Sequence, residues 1–226
     1  MGFSQPISVA IPVRTGAERA TLVRRTYALV FASVLVTVAG AWFGLSQPTI
    51  MAAVARHPII SFLLLLAPLM LAMRMKDAFP ANIGLVGLFA FAEGVWLSPI
   101  LFYYGQTQPD LLSQAAILTA STFGVLTLYA TVSRRDFSAW GGFFVVGLWV
   151  LIGTSLLNLF FRNETASLWL AGAAVFVFGG LLVYDTWRIR NVYGPDDYVP
   201  AAVSIYLDLL NLFLAIISLL GGRRRD

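Results

Sequence analysis

The sequence contains no cysteine, one histidine (His57) and few charged residues. Without cysteine there are no disulfides, thiolate metal sites or cysteine nucleophile. A lone histidine, read here as an outer-loop residue before Pro58, argues against a zinc centre, and no His-Glu-x-x-His, Walker or dinucleotide-loop pattern occurs. No Ser-His-Asp set has workable placement, so neither an enzyme nor a bound cofactor is expected. Charged residues make up 12% of the chain, about half of what covers the surface of a soluble domain. There is also no small-residue cleavage site after the first apolar run, which begins beyond Arg24-Arg25. Residues 1–25 therefore read as a cytosolic tail, not a cleaved signal.

What is abundant is apolar sequence. Hydrophobic residues reach 59%, and mean hydropathy is +0.81. A membrane-spanning helix needs about 20 mostly apolar residues. Seven runs qualify, at roughly 26–45, 58–75, 82–103, 112–132, 139–161, 167–187 and 199–220. They are continuously apolar rather than alternating, so they are helices. The expectation is an all-α membrane protein, a seven-helix bundle over 26–221 with a basic tail at 222–226. Segment 7 carries Ser204, Tyr206, Asp208, Asn211 and Ser218. A helix that polar belongs inside the bundle, whether it spans fully or dips in and returns.

Basic residues orient the bundle. Arg14, Arg19, Arg24 and Arg25 precede segment 1, and Arg74, Lys76, Arg134, Arg135, Arg188 and Arg190 lie in alternate connections on the same side. Only Arg56 and Arg162 fall in the opposite connections. Lys and Arg accumulate on the cytoplasmic side, so the N-terminus is inside. The sequence pI of about 9.7 follows from this placement and calls for no nucleic acid. Arg223, Arg224 and Arg225 fall on the side that segment 7 dictates.

A charge near the centre of a span costs about 2.5–3.5 kcal/mol on insertion scales, so each ionisable residue there needs a reason. Asp208 lies about ten residues from either end of its segment, on one helix face with Ser204 and Asn211. It is a functional carboxylate or one hydrogen-bonded to neighbouring helices. Asp185 lies near the inner end of segment 6, where it could simply pair with Arg188 three residues on. The connection at Gly194-Pro195 is short, so segments 6 and 7 are antiparallel neighbours and the two aspartates can approach. Two close carboxylates in low dielectric cannot both ionise cheaply and share a proton. Such a pair can bind a proton or, transiently, calcium, which prefers oxygen ligands. Arg74 is either an ordinary inner-side anchor or a latch onto the pair. Glu93, deep in segment 3, lines a pathway, relays protons, or is a glutamic acid bonded within the bundle. Intramembrane aspartates also serve in proteolysis, but the Gly-x-Gly-Asp type signature is absent.

Val183-Tyr184-Asp185-Thr186-Trp187-Arg188-Ile189 and Ala201-Ala202-Val203-Ser204-Ile205-Tyr206-Leu207-Asp208-Leu209-Leu210-Asn211-Leu212-Phe213 resemble the Bax inhibitor-1 family, the transmembrane Bax inhibitor motif proteins. Weaker matches are Arg24-Arg25-Thr26-Tyr27, Leu97-Ser98-Pro99-Ile100 and Arg134-Arg135-Asp136-Phe137-Ser138. The resemblance implies seven helices with the last one central. It also implies a calcium leak controlled by pH, with Asp185 and Asp208 at the family's aspartate pair and Arg74 at its latch. Two features depart from the pattern. Phe62-Leu63-Leu64-Leu65-Leu66 holds no acidic residue, and Glu93 is not a family position.

The functional expectation is a pH-sensitive cation leak, with calcium the expected ion, gated by Asp185, Asp208 and Arg74. Glu93, Ser204, Tyr206 and Asn211 are candidate pathway residues. Its partners are the lipid bilayer, calcium or protons, and its expected location is a bacterial inner membrane. The alternative is a non-conducting regulator that binds another membrane protein, such as a protease.

Overall fold

The computed structural model describes residues 16–223, and these are helical throughout apart from short connections. The N-terminal tail is thus described only from Gly16; Arg14 and the tail residues Arg224 and Arg225 lie outside the described residues. Eight helices follow in order: α1 Gly16–Ser46, α2 Pro48–Arg56, α3 Pro58–Arg74, α4 Ala81–Thr107, α5 Pro109–Val132, α6 Ser138–Phe161, α7 Glu164–Asn191 and α8 Tyr198–Arg223.

Prolines open three of them, Pro48, Pro58 and Pro109. A proline at a first helical position forfeits an N–H that would be unpaired anyway and arrives with a helical φ. Asn163 caps α7, its side chain accepting a hydrogen bond from the Ala166 backbone N–H. Arg188 and Arg190 close α7 at its C-terminal end, where the helix dipole favours positive charge. The Arg190 guanidinium donates to the Ala130 and Thr131 carbonyls, satisfying the end of α5 while tying it to α7.

Two differences from the sequence reading concern the first half. α1 begins about ten residues earlier than its apolar run, with Leu22 and Thr26 already fully buried. Those turns are polar on one side only, and apolar-run counting does not see them. The connection after segment 1 contains α2, a nine-residue helix with no buried residue, bent 104° from α3 at His57. His57 is therefore the elbow between two helices rather than a residue of an extended loop.

Among the described residues six helices are long and apolar enough to cross a membrane, and the bent α2–α3 pair makes a seventh if it acts as one span. α8 runs unbroken over 26 residues, about 39 Å at roughly 1.5 Å per residue. It does not turn back partway. α8 packs against α1, α4, α5 and α7, while α6 packs against α7. α6 exposes Phe143, Val146, Trp149, Phe160 and Phe161, as a lipid-facing helix does.

α1 and α4 pack most intimately. A Cβ on Gly40 would strike the Phe91 backbone carbonyl, and one on Gly94 would strike the Thr37 carbonyl and the Ala41 N–H. Small residues at such a crossing let backbones approach, and dispersion contacts then hold helices together where lipid removes the hydrophobic drive.

Candidate functional site

The α7–α8 hairpin builds the site. Its turn closes through Asp197, whose Oδ2 accepts from the Gly194 N–H at 2.9 Å. This brings Asp185, near the end of α7, opposite Asp208, in the middle of α8. The two carboxyl groups lie within hydrogen-bonding reach of each other. Both are buried, with 7% and 6% of their surface exposed.

Asp185 Oδ1 also accepts from Arg188 Nη1 at 2.9 Å. The guanidinium is itself held between two rings, 4.5 Å from the Tyr193 centroid and 5.6 Å from that of Tyr184. Cation–π contacts of this kind orient an arginine as well as attract it. The Tyr193 hydroxyl, pushed above its ordinary titration range by burial, lies 3.5 Å from Ser204 Oγ. Asp208 Oδ2 is buried and has no hydrogen-bond partner. The arrangement is a carboxyl pair anchored at one end by a clamped arginine and open at the other.

Arg74 is not the residue on the pair. It is exposed at the end of α3 and makes no ion pair with either aspartate among the described residues. Arg188 is already one turn from Asp185 on the same helix, so it wins the carboxylate without any movement of α3. The bridge from the α3–α4 connection to the hairpin is instead Lys76 Nζ to Asp197 Oδ1, 2.9 Å. The carboxylate of Asp197, by hydrogen bond and then by charge, holds the Lys76 ammonium above its ordinary titration range.

The expected pathway residues fall in three places. Ser204 stands beside Tyr193, toward the α7–α8 turn. Asn211, one turn beyond Asp208 along α8, bonds back to the Leu207 carbonyl and lines a cavity of about 680 Å³ with Trp96, Asn158, Ser167 and Ser218. Glu93 and Tyr206 meet at the α1–α4–α8 junction, away from the aspartate pair. Tyr206 lies 2.6 Å from Thr37 Oγ1. Glu93 acts on it electrostatically, and Glu93 Oε2 has no hydrogen-bond partner.

Among the described residues, no third acidic or histidine side chain joins the aspartates to hold a metal. Calcium takes six to eight oxygens. A resident ion does not fit here; one passing with most of its water is a different matter.

Arg188 was visible from sequence as an i+3 partner. Tyr184 stands at i−4 on the same helix, but the Tyr193 ring was not visible, because it reaches back from the turn and no helical spacing signals that. Nor did any spacing announce Lys76–Asp197, whose partners are 121 residues apart.

The family model described as inhibitor of apoptosis-promoting Bax1 matches residues 19–225. Protein lifeguard 4 of Mus musculus is 32% identical over 205 residues, covering 89% of this chain and 85% of that protein. Bax inhibitor 1 of Schizosaccharomyces pombe is 30% identical over 207 residues, 90% of this chain and 77% of that protein. The Golgi anti-apoptotic protein of vaccinia virus (strain Lister) is 37% identical over 141 residues, 62% of this chain. That match spans 58% of the viral protein's length, less than two thirds of it.

Proposed function

This chain belongs to the Bax inhibitor-1 family, and on that premise we propose that it is a pH-sensitive cation leak with calcium as the permeant ion, gated at Asp185 and Asp208. The observation that carries the reading is the buried carboxyl pair with one free oxygen on Asp208. A protein that only docks onto others has little use for two facing carboxyls inside lipid, where each polar group is costly.

The mechanism follows from charge. With one proton shared between the aspartates and Arg188 on Asp185, the three groups nearly neutralise one another and hold α7 to α8. A second proton weakens the grip of Arg188, because a neutral carboxyl no longer offers it an opposite charge. The hairpin then loosens between the inner side and the cavity at Asn211. In this scheme α2 and α3 together form the seventh span, α8 is the central helix, and the N-terminus faces the cytoplasm of a bacterial inner membrane. Arg74 would reach the pair only in a second conformation, with the end of α3 turned inward. The reading assigns no catalysed reaction and no cofactor.

The test is calcium flux into liposomes holding purified protein, across a pH series, with Asp185→Asn and Asp208→Asn beside the wild type. Flux that rises with acidification and loses that dependence in Asp208→Asn supports the leak. No flux above empty liposomes at any pH would leave the regulatory reading, in which the chain modulates another membrane protein. The names of the viral and yeast relatives, an anti-apoptotic protein and a Bax inhibitor, are compatible with that second reading.

A further inference from the structure

Glu93 is the buried acid that the gate leaves unused. It is 6% exposed, and its Oε2 has no hydrogen-bond partner. No charged group is placed to balance it. The elements around it are explicit. α1 offers Ser33 and Thr37, α3 offers Leu65, Leu66 and Leu69, and α8 offers Tyr206. The charged residues of α2 and α5, Arg56 and Asp110, stand at the far outer end of the bundle.

The hydroxyl chain beside it has a direction. Thr37 Oγ1 donates its one proton to the Ser33 carbonyl at 2.8 Å. The 2.6 Å contact between Thr37 and Tyr206 must therefore be donated by Tyr206. That leaves the Tyr206 oxygen with lone pairs to accept a proton and none to give. A carboxylic acid at Glu93 could donate to it; a carboxylate could not.

The nearest cavity lies one turn along α4. Trp96, one turn outward on the same face of α4, lines the cavity of about 680 Å³ and is fixed there by donating to the Pro58 carbonyl at 3.2 Å. Glu93 lies three residues inward, about 4.5 Å along the helix. The oxygens the side chains bring together here, the Glu93 carboxyl and the Thr37 and Tyr206 hydroxyls, fall short of the six or more a calcium ion requires.

We propose that Glu93, with Tyr206 and Thr37, is a second proton-binding site, separate from the aspartate pair and reached from the outer cavity. Proton uptake there makes the Glu93–Tyr206–Thr37–Ser33 chain continuous and ties α4 to α8 and α1. Proton loss leaves an unbalanced charge at the tightest helix crossing of the fold.

Infrared difference spectra of the full-length protein in bilayers, taken across a pH series, test this without any need for conduction. The expected result is a titrating C=O band of a carboxyl shielded from water. It should persist in the double variant Asp185→Asn with Asp208→Asn, where the aspartate pair contributes nothing, disappear when Glu93→Gln is added to that variant, and shift in frequency when Tyr206→Phe is added. A band that survives the addition of Glu93→Gln, or the lack of any such band in the aspartate double variant, overturns the proposal. Should Glu93→Gln fail to fold, Glu93→Asp and Tyr206→Phe decide: a band unmoved in both overturns it as well. A silent flux assay would sink the leak and leave this site standing, so the two failures are distinct.

Discussion

Lys76 Nζ lies 2.9 Å from Asp197 Oδ1, joining the connection before α4 to the turn between α7 and α8. Asp197 also accepts the Gly194 N–H, so one carboxylate holds both its own turn and a distant loop. Asp197→Asn should speed amide hydrogen exchange in residues 76–82 and 192–198 while hardly moving Tm, since local opening is separable from global unfolding. The Lys76 titration is raised by its partner. Its contribution is thus complete below the unfolded lysine range and fades as pH rises through the raised one. Protection of both loops, taken relative to the intrinsic exchange rate at each pH, should fall in the wild type only at strongly alkaline pH, and Asp197→Asn should remove that alkaline step.

Substitutions of Asp185 and Asp208 should differ in their effect on stability. Asp185→Asn strands a half-buried guanidinium clamped between two rings, and breaking a buried pair from one side costs about 3–5 kcal/mol. Asp208→Asn removes a carboxyl whose Oδ2 is already unpartnered, and should cost about 1 kcal/mol or less. Thermal unfolding in detergent orders the two. Equal losses would contradict the asymmetry.

Arg188 and Arg74 can be separated by mutation. Arg188→Gln removes the bond to Asp185 and should raise calcium flux at neutral pH toward its acid level. Arg74→Gln, at an exposed position, should leave neutral-pH flux unchanged if the resting tie is the one in this structure. A large effect of Arg74→Gln with none from Arg188→Gln would return the latch to α3.

Glycine substitutions should report on the α1–α4 crossing. Gly94→Ala and Gly40→Ala drive a methyl into backbone atoms of the neighbouring helix, which costs about 1–3 kcal/mol in a packed interior. Gly84→Ala meets nothing within 4 Å and should be neutral or slightly stabilising, since alanine favours helix by about 1 kcal/mol. Tm values of the three variants check the ordering.

The sequence was most informative where apolar runs are long and their flanks polar. The edges of α5, α6 and α8 lie within about three residues of the runs that announced them. α2 was missed because nine residues between two prolines look like a connection, and nothing in a hydropathy pattern distinguishes a short surface helix from a loop. The aspartate pair was legible through the 23-residue interval across Gly194-Pro195, since a tight hairpin brings such positions together. Its arginine was legible only as one of two candidates. Choosing between Arg74 and Arg188 depends on where the end of α3 points, a tertiary matter that one-dimensional spacing does not carry. The Glu93–Tyr206 meeting likewise depends on how closely Gly40 and Gly94 let α1 and α4 approach, and only then on which face of α8 turns toward them.

The elbow at His57 has a mechanical consequence. α3 has 17 residues and rises about 25 Å at roughly 1.5 Å per residue, short of a hydrocarbon core about 30 Å thick. α2 turns away at 104° and adds little height. Where α2 and α3 serve as one span, as proposed above, lipid beside α3 compresses or the elbow straightens, and either response has an elastic cost that grows with acyl-chain length. In that arrangement a thicker bilayer would pull on α4 through the bond from Trp96 to Pro58 at the elbow.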